Sequence, residues 1–163
     1  MMKTDITQVM VKEHQLILRM IALLERNVAL MEQGRFRNWQ FFIDAVDFIR
    51  NYADRFHHAK EEDILFIEMA AVIDQGDGCL HCNPIPQMLH EHDLGRNFLQ
   101  EMKMGLSKGD QKKIISAARG YAYLLQDHIF KEDNILYPMA DQILTNDSQN
   151  LILGKFKLSL IHI

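Results

Sequence analysis

Apolar residues recur at helical spacing over four long stretches of the chain, near residues 5–32, 38–74, 84–106 and 110–144. Each stretch places apolar positions three and four apart, the period of a helix with one buried face. None shows the alternation and β-branched enrichment of a strand. Glycine and proline mark the breaks. Gly34 closes the first stretch, "DQGDGCLHCNPIP" is a loop and "SKGD" is a short turn. Asn83 before Pro84 reads as an N-cap with proline in the first turn of the third helix. Pro138 should end or bend the fourth. Short connections favour antiparallel neighbours, so the pattern predicts an all-α fold, an up-down-up-down antiparallel four-helix bundle over residues 1–146. Residues 147–163, with "LILGKFKLSLIHI", read as a C-terminal tail or short helix: packed on the bundle, an oligomer contact making a homo-oligomer, or a frayed end.

The second and fourth helices carry related segments, "HHAKEEDILF" from His57 and "HIFKEDNILY" from His128. In this register His57 matches His128 and Glu61 matches Glu132, whereas His58 falls opposite Ile129. Periodicity selects the same pairs. His57 and Glu61 share a stripe with Ile49, Ala53, Ile64 and Leu65; His128 and Glu132 share one with Ala117, Tyr121, Leu124 and Ile135. His58 lies instead with Asn51, Asp54 and Glu62 on a face expected in water. The other two helices each turn one histidine inward. His14 keeps company with Met10, Ile17, Ile21 and Leu24, and His92 with Met88, Leu99, Met102 and Leu106. His90, beside Asn97 and Glu101, is expected outside.

This pattern changes the chemistry on offer. Residues four apart differ by about 40° around a helix, so a His and a Glu at that spacing reach one site. Burying such groups alone costs roughly several kcal/mol per charge, and a bound cation offsets that cost. Imidazole with carboxylate suits iron, zinc or manganese. Two carboxylates among several imidazoles suit a pair of metals bridged by the glutamates. Acids precede three inward histidines, at Glu13, Glu91 and Asp127. They are read first as exposed helix-face acids and second as partners that fix a neighbouring imidazole.

Composition removes other classes. The 163 residues are 48% hydrophobic with a formal net charge of −4, as expected of a globular domain with mixed surface charge. There is no basic stripe for nucleic acid. No apolar run is long enough to span a membrane, and the N-terminus lacks a signal-peptide core, so a cytoplasmic location is the expectation. The ten methionines fall mostly at core positions. Cys79 and Cys82 form a single C-x-x-C in a loop, read first as ordinary loop cysteines and second as a redox pair or half of a zinc site with His81 or His90 nearby.

At "HHAKEEDILF", "MLHEHDLGRNFL" and "DHIFKEDNILYP", with "EH" in the first helix, the chain resembles the hemerythrin-like HHE cation-binding domains of bacteria and archaea. Ferritin-like bundles use a Glu-x-x-His spacing, which does not fit. The resemblance implies a non-haem centre of two iron ions (Fe2+/Fe3+) with a bridging oxo or hydroxo group. Its ligands would be His14, His57, Glu61, His92, His128 and Glu132. One position departs: Met88 stands where oxygen-carrying hemerythrins have a third-helix histidine. That leaves one ligand fewer, an open position, or a substitute such as Glu91 or His90.

The first functional expectation is a binder of O2 or NO for sensing, storage or detoxification. The second is a redox enzyme at the same irons, turning over peroxide or repairing iron–sulfur clusters, with the C-x-x-C delivering electrons. The third is a metal-handling protein.

Overall fold

The computed structural model describes residues 5–35, 38–74 and 83–159. Cys79, His81 and Cys82 lie outside the described residues. Among the described residues the protein is all-helical, with five helices. Helix α1 is Asp5–Glu32. Helix α2 runs unbroken over 39–74, as an α segment Trp39–Phe48, π segments Ile49–His58 and Glu61–Leu65, and an α segment Phe66–Val72. Helix α3 is Ile85–Lys108. Helix α4 covers 111–143, with a π turn Glu132–Leu136 between Gln111–Lys131 and Tyr137–Ile143. Helix α5 is Asn146–Ser159.

The ends follow from local chemistry. The Asn38 side chain accepts from the Phe41 N–H at 3.0 Å and opens α2. Asp110 does the same for α4, accepting from Lys113 N–H at 3.0 Å. Asn83 accepts from Ile85 N–H at 3.0 Å at the head of α3. Gly109 takes the left-handed conformation (φ 66°) that ends α3, and Asp110 N–H reaches back to Gly105 C=O at 2.8 Å.

Pro138 does not end α4, which continues to Ile143. The π turn before it bonds Tyr137 N–H to Glu132 C=O, five residues back. The matching turn in α2 bonds Phe66 N–H to Glu61 C=O without any proline, so the wide turn belongs to the repeated motif.

Helix α3 lies along α4, α1 lies along α4, and α2 packs against both α3 and α1. The apolar core falls into two clusters. One joins Ile17, Ile21 and Leu24 of α1 to Phe42 and Ile49 of α2, Leu99 and Met102 of α3, and Ile114 and Leu125 of α4. The other joins Ile6 and Met10 to Leu65 and Met69, Ile85 and Met88, Leu136 and Ala140, with Ile152 and Phe156 of α5 closing it. Each fully buried Leu, Ile or Met contributes about 1.5–3 kcal/mol. In each of the first four helices, buried histidine or glutamate side chains fall where these two clusters meet.

The wide turns also correct one stripe. Ile135, expected to face the core, is 54% exposed, and Leu136 is buried in its place. A turn with one extra residue carries the inward direction from Glu132 to Leu136 and Tyr137.

Helices α3 and α4 approach closely at Gly120. A Cβ there would overlap Cε1 of Phe98 and lie 2.6 Å from its Cζ. We expect Gly120→Ala to destabilise the fold by about 1–3 kcal/mol, read as a lower urea midpoint with an unchanged slope. An unchanged midpoint would mean that the ring moves aside at no cost.

Candidate metal centre

All six residues singled out in the sequence converge between the two apolar clusters. His14, His57, Glu61, His92, His128 and Glu132 are each no more than 1% exposed. They come from four helices, one histidine from each.

Every one of these imidazoles is held from behind. His14 Nδ1 lies 2.8 Å from Asp133, His57 Nδ1 2.8 Å from Glu13, His92 Nδ1 2.7 Å from Glu62 and His128 Nδ1 2.8 Å from Glu91. A carboxylate only accepts, so each Nδ1 donates and each Nε2 is turned inward. The arrangement is reciprocal. Glu13 and Glu91 each precede an inward histidine and each hold the histidine of another helix. Lys60 bonds Glu13 and Lys131 bonds Glu91, which anchors these carboxylates in turn. Glu13 and Glu91 are therefore buried partners, not the exposed acids expected. Asp127 is exposed and pairs with Lys131 at 2.8 Å.

His58 is the larger correction. Expected on a water-facing side, it is 4% exposed and stacks on His92 with ring centroids 3.9 Å apart. The reason is the π segment Ile49–His58, in which Ala59 N–H bonds Asp54 C=O, five residues back. The wider turn takes a smaller angular step per residue, and the neighbours His57 and His58 both point inward. Met88 is buried and carries no metal-binding nitrogen or oxygen. Glu91 is committed to His128, and His90 is exposed.

The donors form two groups, His58, Glu61, His92 and His128 in one, His14, His57 and Glu132 in the other, with donor atoms within 4.8 Å of one another. Both glutamates reach across. Glu132 Oε2 is 3.1 Å from His14 Nε2 and its Oε1 is 3.0 Å from His128 Nε2. Glu61 Oε2 is 3.4 Å from His92 Nε2 and 3.9 Å from His57 Nε2. Tyr137, also missed in the sequence, donates its hydroxyl to Glu61 Oε1 at 2.7 Å.

The cluster needs positive charge. Glu61 Oε2 and both oxygens of Glu132 are buried without a hydrogen-bond partner. The Nε2 atoms of His14 and His57 face each other at 2.9 Å, and those of His92 and His128 at 3.1 Å. Lone pairs aimed at one another in this way suit cations between them. Without metal, protons fill that role. Burial opposes charge on His14, but Asp133 and Glu132 outweigh it and push it up to about 10. Against the same burial, Glu132, Glu61 and Glu62 push His92 up to about 11. Glu132 and Glu91 push His128 up to about 9. Burial, then the nearby His92, His57 and His128, drives His58 well below the usual imidazole range. A neutral His58 is ready to donate a lone pair.

A helical protein that buries such a set of His and Glu donors belongs to the class of metal-binding proteins. Over residues 5–140 the chain matches the hemerythrin HHE cation-binding domain, and it belongs to that family. Neither curated proteins nor solved structures give a significant match. No helix among the described residues is long and apolar enough to cross a membrane.

Proposed function

We propose that the protein is a non-haem di-iron protein that binds O2 or NO for sensing, storage or detoxification, built as an antiparallel four-helix bundle with α5 against one end. One observation carries the reading: two adjacent donor groups share two buried glutamates whose inward oxygens have no hydrogen-bond partner. His58, His92, His128 and Glu61 would hold one iron, and His14, His57 and Glu132 the other, with both glutamates shared. Iron there supplies one-electron redox chemistry and affinity for small diatomic ligands. The carboxylates behind the imidazoles fix the tautomer and aim each Nε2. The apolar clusters at either end keep water from the donors. The group with fewer donors leaves room for a small ligand, and Tyr137 sets a hydroxyl 3.3 Å from His14 Nε2 on that side.

That hydroxyl also favours a second reading, redox turnover of peroxide, since it holds a proton inside the centre. Both readings are tested on protein loaded with Fe(II) without air. About two irons per chain are expected, with a new charge-transfer band on exposure to O2 or NO. A silent spectrum with bound metal leaves a structural or metal-handling role. Catalytic loss of peroxide at constant iron content selects the enzyme.

The role given to His58 has its own test. His58→Ile, which copies Ile129 of the repeat, should weaken one of two Co(II) binding steps by more than the ~10–100-fold that loss of a partner behind a ligand costs. Two unaltered steps would remove His58 from the donor set.

A further inference from the structure

Helix α5 lies beyond residues 5–140, the stretch that matches the family. It packs on α1 and on the Glu61–Leu65 turn of α2, where Lys155 bonds Glu68 at 2.6 Å. Its inward face carries Ile152 and Phe156, both buried. Phe156 ends beside Lys60, the cation that anchors Glu13 behind His57.

Lys60 and Lys131 hold matching places in the repeat, and each bonds a carboxylate that holds a histidine. Their surroundings differ. Lys131 is partly exposed and has a second carboxylate, Asp127 at 2.8 Å. Lys60 is only 3% exposed. Its Nζ lies 3.8 Å from the ring centre of Phe56 and 5.4 Å from that of Phe156. Both distances fall within the range of about 6 Å over which an aromatic face attracts a cation. Phe56 sits one turn away on the same helix, whereas Phe156 comes with α5. A lysine stem is long and flexible, so the rings around its ammonium decide how firmly it stays on Glu13.

We propose that Phe156 is a positioning residue of the metal centre: it confines Lys60 to its bond with Glu13, Glu13 thereby fixes His57, and docking of α5 sets the affinity of the position held by His14, His57 and Glu132. The role rests on the two-metal reading above. At the other position Glu91 is anchored by Lys131 and by Gln87 at 2.6 Å instead.

The test is Co(II) titration of the whole chain, for which wild type should show two binding steps. Phe156→Leu keeps a buried apolar side chain and removes the ring. It should weaken by about tenfold the step that His58→Ile leaves unaltered, at the low end of the ~10–100-fold that loss of a partner behind a ligand costs. Lys60→Met should weaken the same step. Phe156→Leu added to Lys60→Met should then change nothing further, because residues that act through one another are not additive. Lys131→Met should weaken only the other step. Phe156→Met replaces the leucine variant if that chain lacks helical circular dichroism. Equal losses in both steps, or the same loss from Phe156→Leu in the Lys60→Met background, mean packing alone and overturn the proposal. An unaltered Phe156→Leu titration overturns it too and leaves both metal positions standing. A wild-type chain with a single Co(II) step overturns the two-metal reading, and this role falls with it.

Discussion

Replacing Glu132 with alanine is expected to cut the iron content from about two per chain to one or fewer. Glu132 is fully buried and has a nitrogen of each donor group near one of its oxygens, His14 Nε2 at 3.1 Å and His128 Nε2 at 3.0 Å. On the di-iron reading it would thus supply charge to both metal positions at once, and Glu61, the other carboxylate between the groups, already faces His92 and His57. Asp133 is bonded to His14 Nδ1, on the far side of that ring. The metal-free protein suffers too. Its charged imidazoles at His14, His92 and His128 lose the carboxylate they share, and breaking a buried ion pair from one side costs about 3–5 kcal/mol. Iron per chain and the urea midpoint of metal-free protein read the two effects separately. A Glu132→Ala protein that still binds two irons would show that the carboxylate is not shared.

The second large effect is an opposite response to pH with and without metal. In the metal-free protein His14, His92 and His128 are raised to about 10, 11 and 9, against about 6.5 in an unfolded chain. The folded state therefore holds protons that the unfolded state gives up first. Their stabilisation is fully present below about pH 6.5 and is lost as pH rises through the folded values. The carboxylates act at the other end. Glu13, Glu62 and Glu132 are lowered, despite burial, by their basic neighbours. Their stabilisation is present above the ordinary carboxylate range and disappears in acid. Metal-free protein should be most stable at about pH 5–7 and weaken steadily toward pH 10. Loaded protein should weaken in the other direction, because protons compete with metal for the same Nε2 atoms. Urea midpoints across pH 5–10 for both forms should have opposite slopes, and metal uptake at pH 7 should release protons. Parallel slopes would contradict histidine ligation.

Much of this was legible in the sequence. The helix limits follow from period and punctuation, and the His57–Glu61 and His128–Glu132 match picks out residues that lie together in the buried His and Glu cluster. What escaped notice depends on geometry that a period of 3.6 does not contain. A period of 3.6 turns His58 outward, because the π segment Ile49–His58 has no sequence signature of its own. Ile135 was turned inward for the same reason. Glu13 and Glu91 look like ordinary helix-face acids, since their partners lie on other helices. A signal was present in the repeat, where Lys60 and Lys131 are identical and both bond those acids.

The spread of donors along the chain has a consequence in time. The first, His14, lies in α1, and the last, Glu132, in α4. Synthesis at about 5–20 residues per second leaves the early histidines without their counterparts for several seconds. Neither donor group closes before α4 has left the ribosome, because His128 completes one and Glu132 the other. On the proposed di-iron reading, metal uptake would thus be a late event in the life of each nascent molecule, one that rewards only chains whose helices have already found one another.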